Sequence, residues 1–404
     1  MNLNKPVDNL TKVIAITLIS SIVFRGVLPN YTSELILIFV LSLMLISKSK
    51  GAFPKNMTFV ISWTFVYILC VFLTGFYIRD ISSWLTYIIY FLIGILIYLV
   101  VVFLLSSKYK IFYFMEMYTK IVIVISLLTS LAHILYLSTG IHVFLVHVGA
   151  TVRSVGFYGN PNYYSVSLLV GLGFLLSLYS YGVFSKSRLS RLIFLYLSLF
   201  VLFVGIFLTF SRGALVAAIV LLLVFFMINY KEFLNIRSIL SGIVLMVIII
   251  FIDAQESQVL VQIFEQTMVR IDNAIYGTGA GRYTIWEDGF NLFSSSALFF
   301  LIGVGGNQFI NYNEFNIYNH VHNGYLRFLF ETGIIGFILF LILFLNMFKR
   351  TFNLMKLTPV SPVFYAFFSL LIMALSNDIF IIKEFWLIVG LISAWYNSGE
   401  STGL

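Results

Sequence analysis

The chain has 404 residues, of which 61% are hydrophobic and only 10% charged, and its formal net charge is +8. A soluble domain of this length has no interior large enough to hide so much apolar surface, whereas a bilayer does. The single cysteine, Cys70, lies inside an apolar run, which excludes a disulfide-stapled external domain. The positive charge is spread through short loops and makes no case for nucleic acid.

Apolar runs long enough to cross a ~30 Å hydrocarbon core as helices recur along the whole chain. They predict spans near 10–28, 33–47, 57–75, 81–105, 117–137, 162–180, 190–210, 213–229, 236–253, 333–347, 361–377 and 384–396. The first is read as a retained span, because Arg25 and Pro29 close it where a cleavage site would need small residues. The fold expected is therefore an all-α integral membrane domain of about 12 transmembrane helices, occupying residues 1–404 as one unit.

Basic residues alternate between the loops. One set holds Lys5, Lys12, Lys48, Lys50, Lys55, Lys108, Lys110, Lys186, Arg188, Arg191, Lys231, Arg237, Lys349, Arg350 and Lys356; the other holds only Arg79, Arg153, Arg212, Arg270, Arg282, Arg327 and Lys383. The positive-inside rule then puts both termini in the cytoplasm and the second set outside. Two outward segments are long, at about 138–161 and 254–332, so the expected architecture carries one large external loop.

Within that loop, Leu260, Phe264, Met268, Ile271 and Ile275 recur at helical spacing, and Trp286, Phe290 and Phe293 form a second stripe. Both read as amphipathic helices packed on the spans or the membrane surface. The outward side is otherwise acidic, with Asp253, Glu256, Glu265, Asp272, Glu287, Asp288, Glu314 and Glu331. Its few arginines therefore suit local pairing with specific anions, either a ligand or a carboxylate.

Arg212 is the most informative of them. It sits in Leu208-Thr209-Phe210-Ser211-Arg212-Gly213, a turn between two apolar runs with almost no loop. A charge drawn into hydrocarbon costs at least ~2.5 kcal/mol, so such a residue faces protein or a watery cavity. A guanidinium beside a helix N-terminus is also suited to an anion; the plainer reading is an arginine snorkelling to the surface. The run Gly277-Thr278-Gly279-Ala280-Gly281-Arg282 is no nucleotide loop, since no strand precedes it and no Lys-Ser/Thr follows; it reads as a turn presenting Arg282. His320-Val321-His322-Asn323 lacks the Cys or Glu partners of a zinc site, and a lone external histidine suits general-base work. His133, His142 and His147 read as structural or interfacial. Asn377, Asp378, Lys383 and Glu384 read as a paired surface cluster.

Taken in order, four segments resemble the O-antigen ligase and Wzy-type O-antigen polymerase superfamily. They are Arg153-Ser154-Val155-Gly156-Phe157-Tyr158-Gly159-Asn160-Pro161-Asn162; Phe210-Ser211-Arg212-Gly213-Ala214; Gly281-Arg282 with Trp286 and then Leu301-Ile302-Gly303-Val304-Gly305-Gly306-Asn307-Gln308-Phe309; and His322-Asn323 followed by Gly333-Ile334-Ile335-Gly336. The resemblance covers residues 150 to 340. It implies a GT-C-like, metal-independent, inverting glycosyltransferase without a cofactor, using glycan on undecaprenyl pyrophosphate outside the bacterial inner membrane in lipopolysaccharide or other polysaccharide biosynthesis. It also implies a flippase and a chain-length regulator as partners. Carried over by position, Arg212 and Arg282 hold the pyrophosphate, His322 serves the acceptor hydroxyl, and Arg153 and Asn323 are further substrate-binding candidates. The favoured activity is polymerase, joining the glycan to the next lipid-linked repeat unit. The alternative is ligase, moving it to lipid A-core, and a flippase or transporter ranks below both because the spans hold few mid-membrane charges or Pro breaks.

Overall fold

The computed structural model describes residues 7–26, 55–148, 151–183, 188–230, 282–312, 320–357 and 362–400, with isolated positions between 32 and 39 and Glu314. The expected spans 33–47 and 236–253, the stripe from Leu260 to Ile275 and the turn Gly277–Gly281 lie outside these continuous segments. Elsewhere each expected span falls on a helix. In chain order these are α1 (Asn9–Val23), α2 (Lys55–Leu73), α3 (Ile81–Leu104), α4 (Lys108–Thr139), α5 (Pro161–Ser180), α6 (Arg188–Leu208), α7 (Arg212–Ile228), α8 (Arg282–Ser294), α9 (Ala297–Ile302), α10 (Gly324–Leu357), α11 (Phe364–Ala374) and α12 (Lys383–Glu400), of which α8 and α9 belong to the external segment. Among the described residues, six stretches are long and apolar enough to cross a membrane: Met57–Phe76, Ile81–Leu104, Lys108–Thr139, Pro161–Ser180, Ser190–Leu208 and Gly324–Thr351. The protein is thus an all-α membrane bundle in its spans.

One element departs from the all-α expectation. The segment after α4 forms a β-hairpin, β1 (Leu145–Val148) against β2 (Thr151–Ser154), with Leu145 opposite Ser154 and Val148 opposite Thr151. Two four-residue strands are too short to show a period beside the long apolar runs around them, so the sequence read them as loop.

α5 lies at the centre, buried along nearly its whole length and packed against α4, α6, α7 and α11; α12 packs on α3. In lipid there is no hydrophobic gain from pressing one apolar helix on another, so close packing must hold the bundle. Small residues supply it. A side chain at Gly173 would overlap the backbone of Ala366, and one at Gly94 would overlap the Trp386 ring. Large apolar residues such as Phe65, Phe72, Leu131 and Leu223 point outward, as a lipid-facing surface requires.

The two ends of the bundle differ. At one end Lys110 pairs with Asp8 at 2.8 Å, Lys108 lies over Trp395, and Arg350 lies over Phe59 and Tyr396. The other end gathers the turn after α1, the α2–α3 connection, the hairpin, the α6–α7 turn, the described residues of 282–323 and the α11–α12 connection. Gly26 donates to Phe157 O at 2.7 Å, Tyr77 to Gly303 O at 2.7 Å, and Arg153 to Thr209 O at 2.7 Å. This second end is called the loop end below.

The surface cluster expected around Asp378 is corrected by the structure. Arg327, Glu331, Lys383 and Glu384 are all buried, and Asp378 is mostly covered. Arg327 donates to Glu331 at 3.1 Å, to Asp378 and to the Asn307 side-chain oxygen. Lys383 donates to Ser21 O at 3.1 Å. A short connection between two spans looks exposed in sequence; here α1 and α10 cover it.

Candidate active site

The α6–α7 turn carries Arg212. α6 ends at Leu208, Phe210 takes a left-handed φ of 49°, and α7 restarts at Arg212. Arg153, buried on β2, donates from Nε to Thr209 O and from Nη2 to Asn162 Oδ1 at 3.2 Å. It ties the hairpin to this turn. Asn162 is itself placed by the helix start, where Asn160 caps α5 ahead of Pro161, accepting from the Asn162 N–H at 2.9 Å. On the other side of the turn, Gly213 leaves room only for Ser376, so the turn rests on the α11–α12 connection.

The same connection supports the histidine. Gly324 packs on the Asn377 carbonyl and the Phe380 ring, and Asp378 pairs with Arg327 one turn into α10. Asn323 is the N-terminal cap of α10, its Oδ1 accepting from Tyr325 N at 3.0 Å and Leu326 N at 3.1 Å. His322, just outside the cap, holds a left-handed φ of 51°. Non-glycine residues seldom adopt that conformation, and such strain, about 1–3 kcal/mol each, concentrates at functional sites. The non-glycine residues with positive φ among the described residues are Phe144, Phe210, Asn307 and His322, and the last three all lie in the segments singled out from sequence.

Arg282 opens α8. One turn later, the Trp286 indole donates to Val321 O at 2.9 Å, which fixes α8 beside His322. The buried face of α8 (Ile285, Leu292, Phe293) joins Val304, Phe309, Val321 and Phe330 in a small core of its own, while Phe290 stays half exposed against Phe330. Beneath it the glycine-rich run is explained by backbone crossing. Val304 N donates to Phe330 O at 3.0 Å and Gly305 N to Glu331 O at 2.9 Å. α10 breaks at Gly333 (φ 66°), where a side chain would overlap the backbone of Leu301. Gln308, fully buried, accepts from Arg79 N and Asp80 N and donates to Asp80 O, pinning the external segment to the start of α3.

Arg282 is brought within electrostatic reach of both Arg212 and His322, which lie far from it in sequence. Burial and the neighbouring Arg212 push the Arg282 guanidinium down from its usual value. Burial, and then Arg282, push the His322 imidazole below its ordinary 6.5, with Asp378 acting the other way. The imidazole is therefore neutral at pH 7. Arg212 is exposed and Arg282 half-buried, and neither makes an ion pair or hydrogen bond among the described residues. Among the described carboxylates of this end, Glu314 is committed to Arg79, and Glu331 and Asp378 to Arg327. Two guanidiniums that act on each other, with no ion pair among the described residues, disfavour their charged forms unless an anion joins them.

Of the other candidates, Arg153 and Asn323 are both buried and bound to protein groups, one bracing a turn and the other capping a helix. His133 is buried against Ser154 at 3.0 Å, and His142 and His147 stack on each other at 4.9 Å. Sequence reasoning gave Asn307 and Gln308 no role of their own, and it named Arg327, Glu331 and Asp378 without joining them into one group. Arg327 and Glu331, one helical turn apart in an otherwise apolar run, were the available signal.

The sequence model of the O-antigen ligase family matches residues 197–341, a stretch that includes Arg212, Arg282, His322 and Asn323 but not Arg153 or Asp378. No curated protein matches the chain. The match covers residues 197–341, and it supports a relation of this stretch to the O-antigen ligase and polymerase superfamily.

Proposed function

We propose that this protein is an O-antigen or surface-polysaccharide polymerase, transferring glycan from undecaprenyl pyrophosphate to a hydroxyl of the next lipid-linked repeat unit. The observation that carries the reading is two mutually interacting guanidiniums, Arg212 and Arg282, with no ion pair among the described residues, and His322 within reach of Arg282. A donor anchored in the bilayer needs its reacting bond at the membrane edge, and the α6–α7 turn lies there. As the glycosidic C–O bond breaks, the departing pyrophosphate gains negative charge. Two fixed guanidiniums stabilise that charge without reorganising. His322 accepts the proton of the attacking hydroxyl. A single displacement of this kind inverts the anomeric carbon and needs no metal.

The loop end is assigned to the outer face, because the basic loops read from the sequence lie at the opposite end. Both termini are then cytoplasmic, and the membrane is the bacterial inner membrane.

The test is the surface glycan of a deletion strain complemented with wild type, Arg212→Ala, Arg282→Ala or His322→Ala. A single repeat unit on lipid A-core without a ladder in the deletion supports polymerase. Bare core, with long glycan held on undecaprenyl pyrophosphate, replaces this reading with ligase. Three alanine variants that restore a normal ladder at normal expression overturn the catalytic assignment.

A further inference from the structure

Arg25, at the end of α1, lies between two tyrosines of other helices, with its guanidinium carbon 5.5 Å from the Tyr90 ring centre and 5.2 Å from that of Tyr163. All three residues are half-buried at the loop end. Among the described residues, the Arg25 guanidinium and the two phenol hydroxyls make no hydrogen bond. Stacking between rings fixes the plane of a guanidinium and leaves its N–H fork directed outward. Three elements thus converge on a set of donors without a hydrogen-bond acceptor among the described residues.

The location adds a second argument. Tyr163 follows Asn162, the partner of Arg153, and lies within electrostatic reach of Asp378 and Arg327. Asp378 and Arg327 in turn act on His322. The box therefore borders the candidate site from the side of α1 and α3, while Arg212 and Arg282 come from α7 and α8. A transfer between two lipid-linked substrates brings two anchored molecules to one histidine. If one enters against Arg212 and Arg282, the other needs its own anchor at the membrane edge.

We propose that Arg25, Tyr90 and Tyr163 form an oxyanion subsite for the acceptor, gripping a phosphate or carboxylate group of the acceptor molecule. This rests on the transferase reading above. The bland role for Arg25 is counter-ion to the buried Glu384, whose Oε1 lacks a hydrogen-bond partner among the described residues. That role concerns stability and makes no difference to the acceptor.

The experiment uses the full chain in lipid nanodiscs, with a polyprenyl-pyrophosphate-linked glycan as donor. The acceptors are the same glycan on polyprenyl pyrophosphate, the same glycan on a neutral alkyl aglycone, and an acidic glycan on that aglycone. Arg25→Ala, Arg25→Lys and Tyr163→Leu are compared with wild type. The expected result is a rise of about tenfold in KM for the pyrophosphate acceptor, with kcat and donor KM unchanged and no change for the neutral acceptor. Arg25→Lys falls between, because it keeps the charge and loses the fork. Dependence on Arg25 that persists with the acidic glycan on the neutral aglycone assigns the oxyanion to the sugar rather than the carrier. Unchanged KM for every acceptor, or a loss that follows thermal stability alone and appears equally in Glu384→Gln, overturns the proposal. If wild type transfers nothing, the function proposed above fails. Equilibrium binding of a short polyprenyl pyrophosphate then decides the subsite, and equal binding by wild type and Arg25→Ala refutes it.

Discussion

Two groups of arginines at the loop end have the same charge and opposite circumstances. Arg327 and Arg153 are buried and fully engaged, the first with Glu331, Asp378 and Asn307, the second with the Thr209 carbonyl and Asn162. Arg212, exposed, and Arg282, half-buried and acting on His322, make no ion pair among the described residues. The difference lies in what surrounds each charge. A guanidinium enclosed by protein acceptors holds the fold, because leaving it unanswered in a dry interior is costly. A guanidinium left unanswered at a watery edge is available to a substrate. The enclosed pair also positions the open set: Arg153 fixes the turn before Arg212, and Arg327 fixes the first turn of α10 after His322.

Substitutions separate the two groups, and the largest effect falls on Arg327. Arg327→Met leaves Glu331 and Asp378 without their cation and is expected to cost about 3–5 kcal/mol of stability. Thermal unfolding and yield in detergent check it. A stable Arg327→Met protein removes the distinction between the groups. Next come Arg212→Ala and Arg282→Ala, each expected to lower transfer by about 10²–10³-fold, some 2.7–4 kcal/mol at the transition state, with thermal unfolding unchanged. Arg153→Ala sits between the two behaviours. It is expected to cost about 1–3 kcal/mol through the orphaned Thr209 and Asn162 groups, together with a fall in kcat that Arg153→Lys recovers in part. The smallest effect is in pH dependence. Because His322 must be neutral to accept a proton, and burial and Arg282 hold its pKa below 6.5, the acid limb of kcat/KM falls below pH 6.5. Removing the cation in Arg282→Gln raises that pKa, so the limb moves upward. Asp378, His320 and Arg327 act on the same ring and stay in place in the variant. A limb that stays put in Arg282→Gln separates the arginine from the histidine.

Much of this was legible in the sequence. Helix positions follow from apolar run length, and even the break at Gly333 falls where the tenth span was expected to begin. Arg212, Arg282 and His322 could be singled out because charge and imidazole are scarce in so apolar a chain. Their convergence could not, since it depends on Trp286 reaching the Val321 carbonyl and on Gly213 and Gly324 both packing on the α11–α12 connection. The same is true of engagement. Arg153 and Asn323 look as available as Arg212 in sequence, and only the structure shows them to be used, Arg153 by the distant Thr209 carbonyl and Asn323 by the first amides of α10. The hairpin and the burial of Lys383 and Glu384 were hidden for a related reason: short connections show neither a period nor what covers them.

The central claim is that the open arginines and His322 carry glycan transfer. The most direct measurement is turnover of a polyprenyl-pyrophosphate-linked glycan by the purified chain in nanodiscs, for wild type, Arg212→Ala, Arg282→Ala and His322→Ala, with thermal unfolding followed in parallel. The account predicts transfer by wild type, a fall of at least about 100-fold in each variant, and unfolding temperatures unchanged. Variants that turn over as fast as wild type would contradict it.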